Sequence, residues 1–332
     1  MQPAVPAFLG KLDTGERRAS RLDLANWLAS SDNPLTARAL VNRLWKLFFG
    51  EGICRSLDDM GAQGEWPSHP EVINYLAVEL IDSGWDVQHV IRSIVLTRTY
   101  RQSSQPRPEL AETDPENRLL ARQSRFRLDA ELVRDGALAL SGLLVPTVGG
   151  PSVKPYQPPG YYAQLNFPTR TYRADVGEKQ YRRGLYTHWQ RTFLHPMLKA
   201  FDAPSRETCT ASRPRSNTPL QALTLLNDPT FVEAARVLAK RIMGEGGSDD
   251  ASRIDWAYRQ AVAHAPQAEI ARTLAELHAK HREYYRANPE AAKQITQVGD
   301  RPVPDGIDLS ELAAWTSVAR VVLNMHEMIT RY

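Results

Sequence analysis

The sequence predicts a mainly α fold: a multi-helix globular core, a Pro/Tyr/Gly-rich irregular insertion, and little strand. Three observations carry this. Apolar residues recur at three- and four-residue spacing through most of the chain, as in Ala39, Leu40, Leu44, Trp45, Leu47 and Phe48. Proline, glycine and Asn/Asp clusters punctuate these runs where helices would stop. From Gly149 onward, Pro155, Tyr156, Pro158, Pro159, Gly160, Tyr161, Tyr162, Phe167 and Tyr172 follow so closely that no long helix can form.

Residues 1–15 read as an irregular lead-in, broken by Pro3, Pro6 and Gly10. A helix starting at Arg17 carries Leu22, Leu24, Ala25, Trp27 and Leu28 as its inward face, and Ser30 to Pro34 end it. Thr36 is placed to cap the next helix, and Gly50 and Gly52 to stop it. Arg38, Asn42 and Arg43 form a polar patch on it, either for an anion or for hydrogen bonds of the fold itself. After a long loop, Ser68 is the expected cap of a helix over 70–83, with Pro70 and Glu71 in its first turn. Asp86 caps a helix over 87–98. Pro106 to Pro115 is a polar connector, and a helix over 129–141 follows. Arg182 to Tyr186 suggests a short strand, and Pro196 the end of a helix bearing His188 and His195. Thr218-Pro219 starts a helix that Asn227-Asp228-Pro229 breaks, and another spans 230–242. The last third reads as helices over 251–263, 267–286 and 309–329, with a polar loop at 288–308. The resulting blocks are 16–105 (N-terminal helical), 106–117 (connector), 118–243 (central, with the insertion at 146–182) and 250–332 (C-terminal helical), all read as one domain.

At 332 residues the chain can bury a large core, and 42% hydrophobic with 24% charged residues is globular composition. A net charge of +3 argues against a nucleic-acid partner, which calls for a concentrated basic face. No run approaches the eighteen apolar residues of a membrane helix. Lys11, Asp13, Glu16, Arg17 and Arg18 interrupt the first twenty residues, so no signal core is present there. Two cysteines, Cys54 and Cys209, make no disulfide framework and read as separate thiols; no Cys-x-x-Cys-His occurs for haem attachment.

The stretch from Tyr186 to Asn227 sets two helix-like pieces around a polar bridge, Asp202 to Asn217. So polar a bridge cannot be held by apolar burial; Arg206, Arg213 and Arg215 must find carboxylates or carbonyls. Asp202, Arg206, Cys209, Arg213, Arg215, Gln221 and Asn227 are therefore the candidate polar site, with Tyr156, Tyr161, Tyr162 and Tyr172 as a candidate flap suited to sugar stacking or to covering a core. Glu131 and Asp135, four apart on one helix, resemble an acid/base pair, but Arg127 and Arg134 would keep both ionised, as in an ion-pair network. No metal site is expected. Asp58, Asp59, Glu65 and His69 lack the spacing of a calcium or zinc site. His188 and His195 are seven apart, and His278 and His281 sit beside Lys280, Arg282 and Glu283 on what reads as a solvated face. No nucleophile elbow, Walker loop or dinucleotide fingerprint occurs.

Phe201-Asp202-Ala203-Pro204, Arg206, Cys209, Arg213 and Thr218-Pro219-Leu220-Gln221-Ala222-Leu223 through Leu226-Asn227 are similar to the signature of the DUF1553 or PSD1 family, described from planctomycetes and related bacteria. Further blocks agree: Asn33 to Arg38, Val41 to Trp45, Phe49 to Gly52, Pro67 to Glu71, Gly84 to Asp86, Thr99 to Ser104, Arg127 to Asp135, and Val322 to Glu327. The resemblance implies an exported, periplasmic or extracellular multidomain protein of which this chain is a fragment. It implies no cofactor in the chain itself, and as partner a haem c module lying upstream. The leading expectation is a structural or interaction module. The alternative is an enzyme or binding domain acting on extracellular glycans, sited near Asp202, Arg206, Arg213 and the tyrosine flap.

Overall fold

The computed structural model describes residues 3–164, 171–190 and 193–332. It is mainly α, with thirteen α-helices among the described residues and one two-stranded sheet. The backbone divides into two compact units, Met1–Phe126 with Tyr332, and Arg127–Arg331.

The first unit holds α1 (Arg21–Leu28), α2 (Thr36–Phe49), α3 (Pro70–Asp82), α4 (Val87–Leu96) and α5 (Arg98–Arg101). Its core is the apolar stripe of α2, including Val41, Leu44, Trp45 and Phe49, closed by Ile73, Leu76 and Leu80 of α3 and Val90 and Ile94 of α4. Trp45 and Phe49 stack with ring centroids 4.2 Å apart, the one-turn spacing made physical. Asn42, buried on α2, donates to Cys54 O and accepts from Cys54 N, so the patch it belongs to serves the fold at that position. Arg38 donates to Asn74 Oδ1 and Pro34 O.

Three details depart from the sequence reading. Helix α1 buries Asp23, whose carboxylate accepts from Ser20 N–H and Oγ and is paired with Arg17, while Leu22, Leu24 and Leu28 are exposed. Asn33, rather than Thr36, closes the start of α2 by accepting from the Leu35 and Thr36 amides. Ser68 does not cap α3; its hydroxyl donates to Ile53 O, and Pro70 begins the helix without needing a donor partner. Asp86 does cap α4, accepting from the Gln88 and His89 amides.

The second unit opens where Arg127 ends the short strand β1 (Phe126–Arg127), paired with β2 (Thr330–Arg331). It continues through α6 (Ala130–Ser141), α7 (Pro196–Ala200), α8 (Pro219–Asn227), α9 (Pro229–Glu245), α10 (Asp250–Val262), α11 (Ala268–Ala287), α12 (Pro289–Thr296) and α13 (Leu309–Leu323). Helices α9 and α13 form its centre: Phe231, Ala235, Leu238 and Ile242 meet Leu312, Trp315, Val318 and Val322 in one apolar cluster. Both are buried nearly all round, which is why their sequences lack a clean polar face.

Here too the chain departs from expectation. Helix α12 occupies part of the predicted loop 288–308, started by Pro289 and buried through Ala292. Pro196 begins α7 instead of ending a helix; His188 lies in extended chain, its amide donating to Val153 O. The strand expected around 182–186 is a single 3-10 turn, Gly184–Tyr186, flanked by isolated bridges at Arg182 and Thr187. Phe167, read as part of the Pro/Tyr/Gly-rich insertion, lies outside the described residues.

Candidate functional site

Helix α6 begins with two acids. Asp129 occupies its cap position, and Glu131 sits in the first turn, where the helix dipole favours negative charge. Both side chains turn to the polar bridge. Arg213 donates to Glu131 Oε2 at 2.7 Å and lies 3.6 Å from Asp129 Oδ2. Arg215 Nε is 3.8 Å from Asp129 Oδ1, and Arg206 Nη2 is 3.8 Å from Glu131 Oε1. Arg206 also stacks over Trp189, its Cζ 3.6 Å from the ring centroid, while the Trp189 indole N–H donates to Ser205 O at 2.8 Å.

The bridge is closed on itself at its neck. Asp202 accepts from both the amide and the hydroxyl of Ser216, each at 2.7 Å. Gln221 of α8, 2% exposed, donates to Ser216 Oγ and accepts from Arg127 at 3.0 Å. The result is an Ω-like loop whose ends are fixed by side chains and whose far half is clasped to α6 by guanidinium groups. Asp202 and Arg206 both adopt positive φ, 61° and 60°, so the two sharp turns fall on the residues that make these contacts. The groove beneath, lined by Arg127, Asp129, Asp202, Arg213, Ser216 and Gln221, leaves a volume of about 10 Å³, the space of one water.

The candidate residues thus divide. Asp202, Arg206, Arg213, Arg215 and Gln221 converge on one junction. Cys209 is an exposed free thiol, and Asn227 is an exposed residue donating to Leu223 O on its own helix. The tyrosines of the flap turn inward: Tyr156 donates to Glu233, Tyr161 to Leu194 O, and Tyr172 to Pro155 O, and Tyr162 packs edge-on against Tyr172. Burial pushes all three of the donating hydroxyls above the ordinary phenol range.

The partners of the α6 acids differ from those expected. Arg127 reaches Gln221, not Glu131, and Arg134 is wholly buried, donating to Arg182 O and Gln180 O. Asp135 accepts from the Gly184 amide at 2.7 Å and lies 3.7 Å from Arg134, and burial raises its carboxyl above the usual range. Nor does His278 lie on a solvated face: it is 0% exposed and stacks on Trp315, and His281 faces Ser317 at 2.9 Å. Several contributors to the junction, Asp129 and Trp189 among them, are not in the candidate polar site read from sequence. Their signal was present as the Arg127–Asp135 block and as the aromatic preceding the bridge.

A family model described as "PSD1: Protein of unknown function (DUF1553)" matches residues 20–278, which include both α6 and the bridge. The chain belongs to the PSD1 family. No curated protein and no solved structure matches it. Within this PSD1 chain Asp202, Arg206, Arg213 and Gln221 of the signature fold the bridge and fasten it to its neighbours, while Cys209 and Asn227 stand apart from that junction. The similar block Val322 to Glu327 lies beyond the matched stretch.

No helix among the described residues is long and apolar enough to cross a membrane.

Proposed function

We propose that this PSD1 domain is a structural or interaction module of an exported multidomain protein, working beside a haem c module. One observation carries the reading: the guanidinium groups of the signature bridge are engaged by Asp129 and Glu131, over a groove with room for about one water. Residues spent in this way fix a loop of defined shape on a rigid helix, which is what a docking module requires. The haem c association and the exported location rest on the family resemblance. Mixing the purified chain with the haem c module encoded in its own full-length protein tests the proposal. Co-elution followed by haem absorbance, with slowed amide exchange in the chain, is expected. Separate elution with unchanged exchange in both partners sinks it.

A second reading, binding of an extracellular glycan, is favoured by a cleft in the first unit. It measures about 710 Å³ and is lined by Arg38, Met60, Trp66, Pro67 and Asn74. Trp66 is 80% exposed, an aromatic face beside polar groups that suits a sugar ring. Quenching of tryptophan fluorescence by oligosaccharides, abolished in Trp66→Ala, would favour this reading over the first.

A further inference from the structure

The cleft beside Trp66 is built by two helices of the first unit and the loop between them. Arg38 comes from the first turn of α2, Asn74 from the second turn of α3, and Met60 and Trp66 from the loop. That loop is pinned by its own hydrogen bonds. The Glu65 amide donates to Ser56 Oγ at 2.8 Å, the Ser68 amide to Ile53 O at 2.9 Å, and the Cys54 thiol to Glu65 O at 3.0 Å. A Cβ on Gly64 would collide with Asp59 O, so the turn closes only with glycine there. We propose that this cleft binds a small organic acid with a flat apolar body, its carboxylate held by Arg38 and Asn74 and its body by Trp66, Met60 and Ile73. Nothing in the family description assigns a ligand.

The argument begins with the guanidinium. Arg38 Nε–H donates to Asn74 Oδ1 at 2.7 Å, and an Nη1–H donates to Pro34 O at 2.8 Å. These contacts fix its plane. They use two of the five N–H groups an arginine carries, and the others have no partner among the described residues. Asn74, having turned its oxygen to Arg38, keeps an amide NH2 that is likewise unused. Helix α2 has no acid in its first turn, so the cation stands at the positive end of the helix dipole without a counter-charge on that turn. Glu65 also borders the cleft, but its carboxylate lies 3.5 Å from Arg118 Nη2 and forms no ion pair with Arg38. A half-buried cation oriented only by neutral groups gains a charge-assisted contact when an external anion arrives.

The remaining walls set the other half of the ligand. Ile73 is buried at the back of the cleft, Met60 is an adaptable apolar side, and Trp66 offers an open aromatic face. Cys54 adds apolar surface alone: its thiol is spent on Glu65 O, and burial pushes it above the ordinary thiol range. Apolar walls around a few fixed polar groups, in a volume of about 710 Å³, are the make-up of a small-molecule site. A planar carboxylate can take two parallel hydrogen bonds from one guanidinium edge, which a hydroxyl cannot. A neutral sugar would meet Trp66 and leave that charge idle, whereas an aromatic acid engages both.

The test uses the whole chain and three probe acids, naphthalene-2-carboxylate, indole-3-acetate and cinnamate, each beside its neutral amide, followed by calorimetry and ligand-observed NMR. At least one acid is expected to bind at one site per chain with a Kd at or below about 1 mM, and its amide about tenfold more weakly. Arg38→Gln should remove the advantage of acid over amide, and Arg38→Lys should restore part of it. Trp66→Ala should weaken acid and amide alike, with circular dichroism showing that each variant is folded. Loss of the acid preference alone is an effect no unfolding can mimic. Saturation by none of the acids, amides bound as tightly as their acids, or a preference that survives Arg38→Gln would each overturn the assignment. Neutral cellotetraose bound more tightly than every acid would overturn it too, and would leave the cleft to the sugar reading.

Discussion

Two carboxylates anchor the second unit, and they are held in opposite ways. Glu233 of α9 is 1% exposed. It accepts from Tyr156 and Tyr181 hydroxyls at 3.0 and 2.7 Å and from the Asp300 and Arg301 amides at 2.7 Å each, with Arg236 3.7 Å away. Glu131 of α6 is held by the long side chains of Arg213 and Arg206, whose own exposure is 34% and 38%. The first junction is dry and built from backbone and tyrosine donors that lose little freedom on bonding. The second is wet, screened, and held by flexible guanidinium stems. A dry hub of this kind is insulated from solvent, while a wet clasp holds its loop through ion pairs that salt can weaken.

The largest expected effect is at the dry hub. Glu233→Ala strips two amides and two tyrosine hydroxyls of their acceptor and leaves the buried Arg236, which still donates to Arg301 O, without its carboxylate, so a loss of about 3–5 kcal/mol in urea unfolding is expected. Glu233→Gln should cost less, because its remaining carbonyl oxygen can still accept from both the Asp300 and Arg301 amides, which share Oε1. A Glu233→Ala variant as stable as the parent would erase the distinction between the two junctions.

His195 extends the dry side and gives it a pH signature. It is 3% exposed and its Nε2 lies 2.8 Å from Tyr156 O, so that nitrogen carries the proton and Nδ1 does not. Burial lowers its pKa to about 4, with Arg134 adding a smaller push in the same direction. The unfolded chain takes up a proton near 6.5 while the folded chain refuses it until about 4. Stability therefore rises with pH across that window, and acidification from 6.5 to 4 removes up to about 3 kcal/mol. Urea midpoints measured across this range should show the slope, and His195→Gln should flatten it. An unchanged slope in the variant would assign the acid sensitivity elsewhere.

How much of this was legible depends on the range of the interaction. Helices α2, α3, α4 and α9 announce themselves by apolar spacing, and Asp86 and Pro219 by position, because those signals are local. The partners of Glu233 come from residues 156, 181, 300 and 301, and no local pattern joins them. Helix α12 was hidden because its buried residues, Ala292 and Thr296, are small or polar. His278 was misplaced because its charged sequence neighbours, Lys280 and Glu283, point elsewhere. Its register with Leu274 and Tyr285, buried on the same face, was the signal to follow. At the bridge the need for acidic partners could be read from Arg206, Arg213 and Arg215, but which acids answered could not. Asp129 and Glu131 lie more than seventy residues upstream of all three arginines.

The smallest expected effect separates the two junctions most sharply. Arg213→Ala removes a short hydrogen bond between bridge and α6, that to Glu131 Oε2. The pair is part-exposed, so its contribution is discounted for solvent, and a cost of about 1 kcal/mol is expected at low salt. Arg206 and Arg215 remain near the same acids and soften the loss further. Because the clasp is wet, the cost should shrink as ionic strength rises toward 1 M, where screening acts over about 3 Å. The Glu233→Ala penalty, insulated from solvent, should hardly change over the same range. A double-mutant cycle with Glu131→Gln isolates the pair from the helix-dipole contribution of Glu131. A salt-insensitive cost several times larger would show that the clasp is as dry and rigid as the hub, and the contrast between the two junctions would be lost.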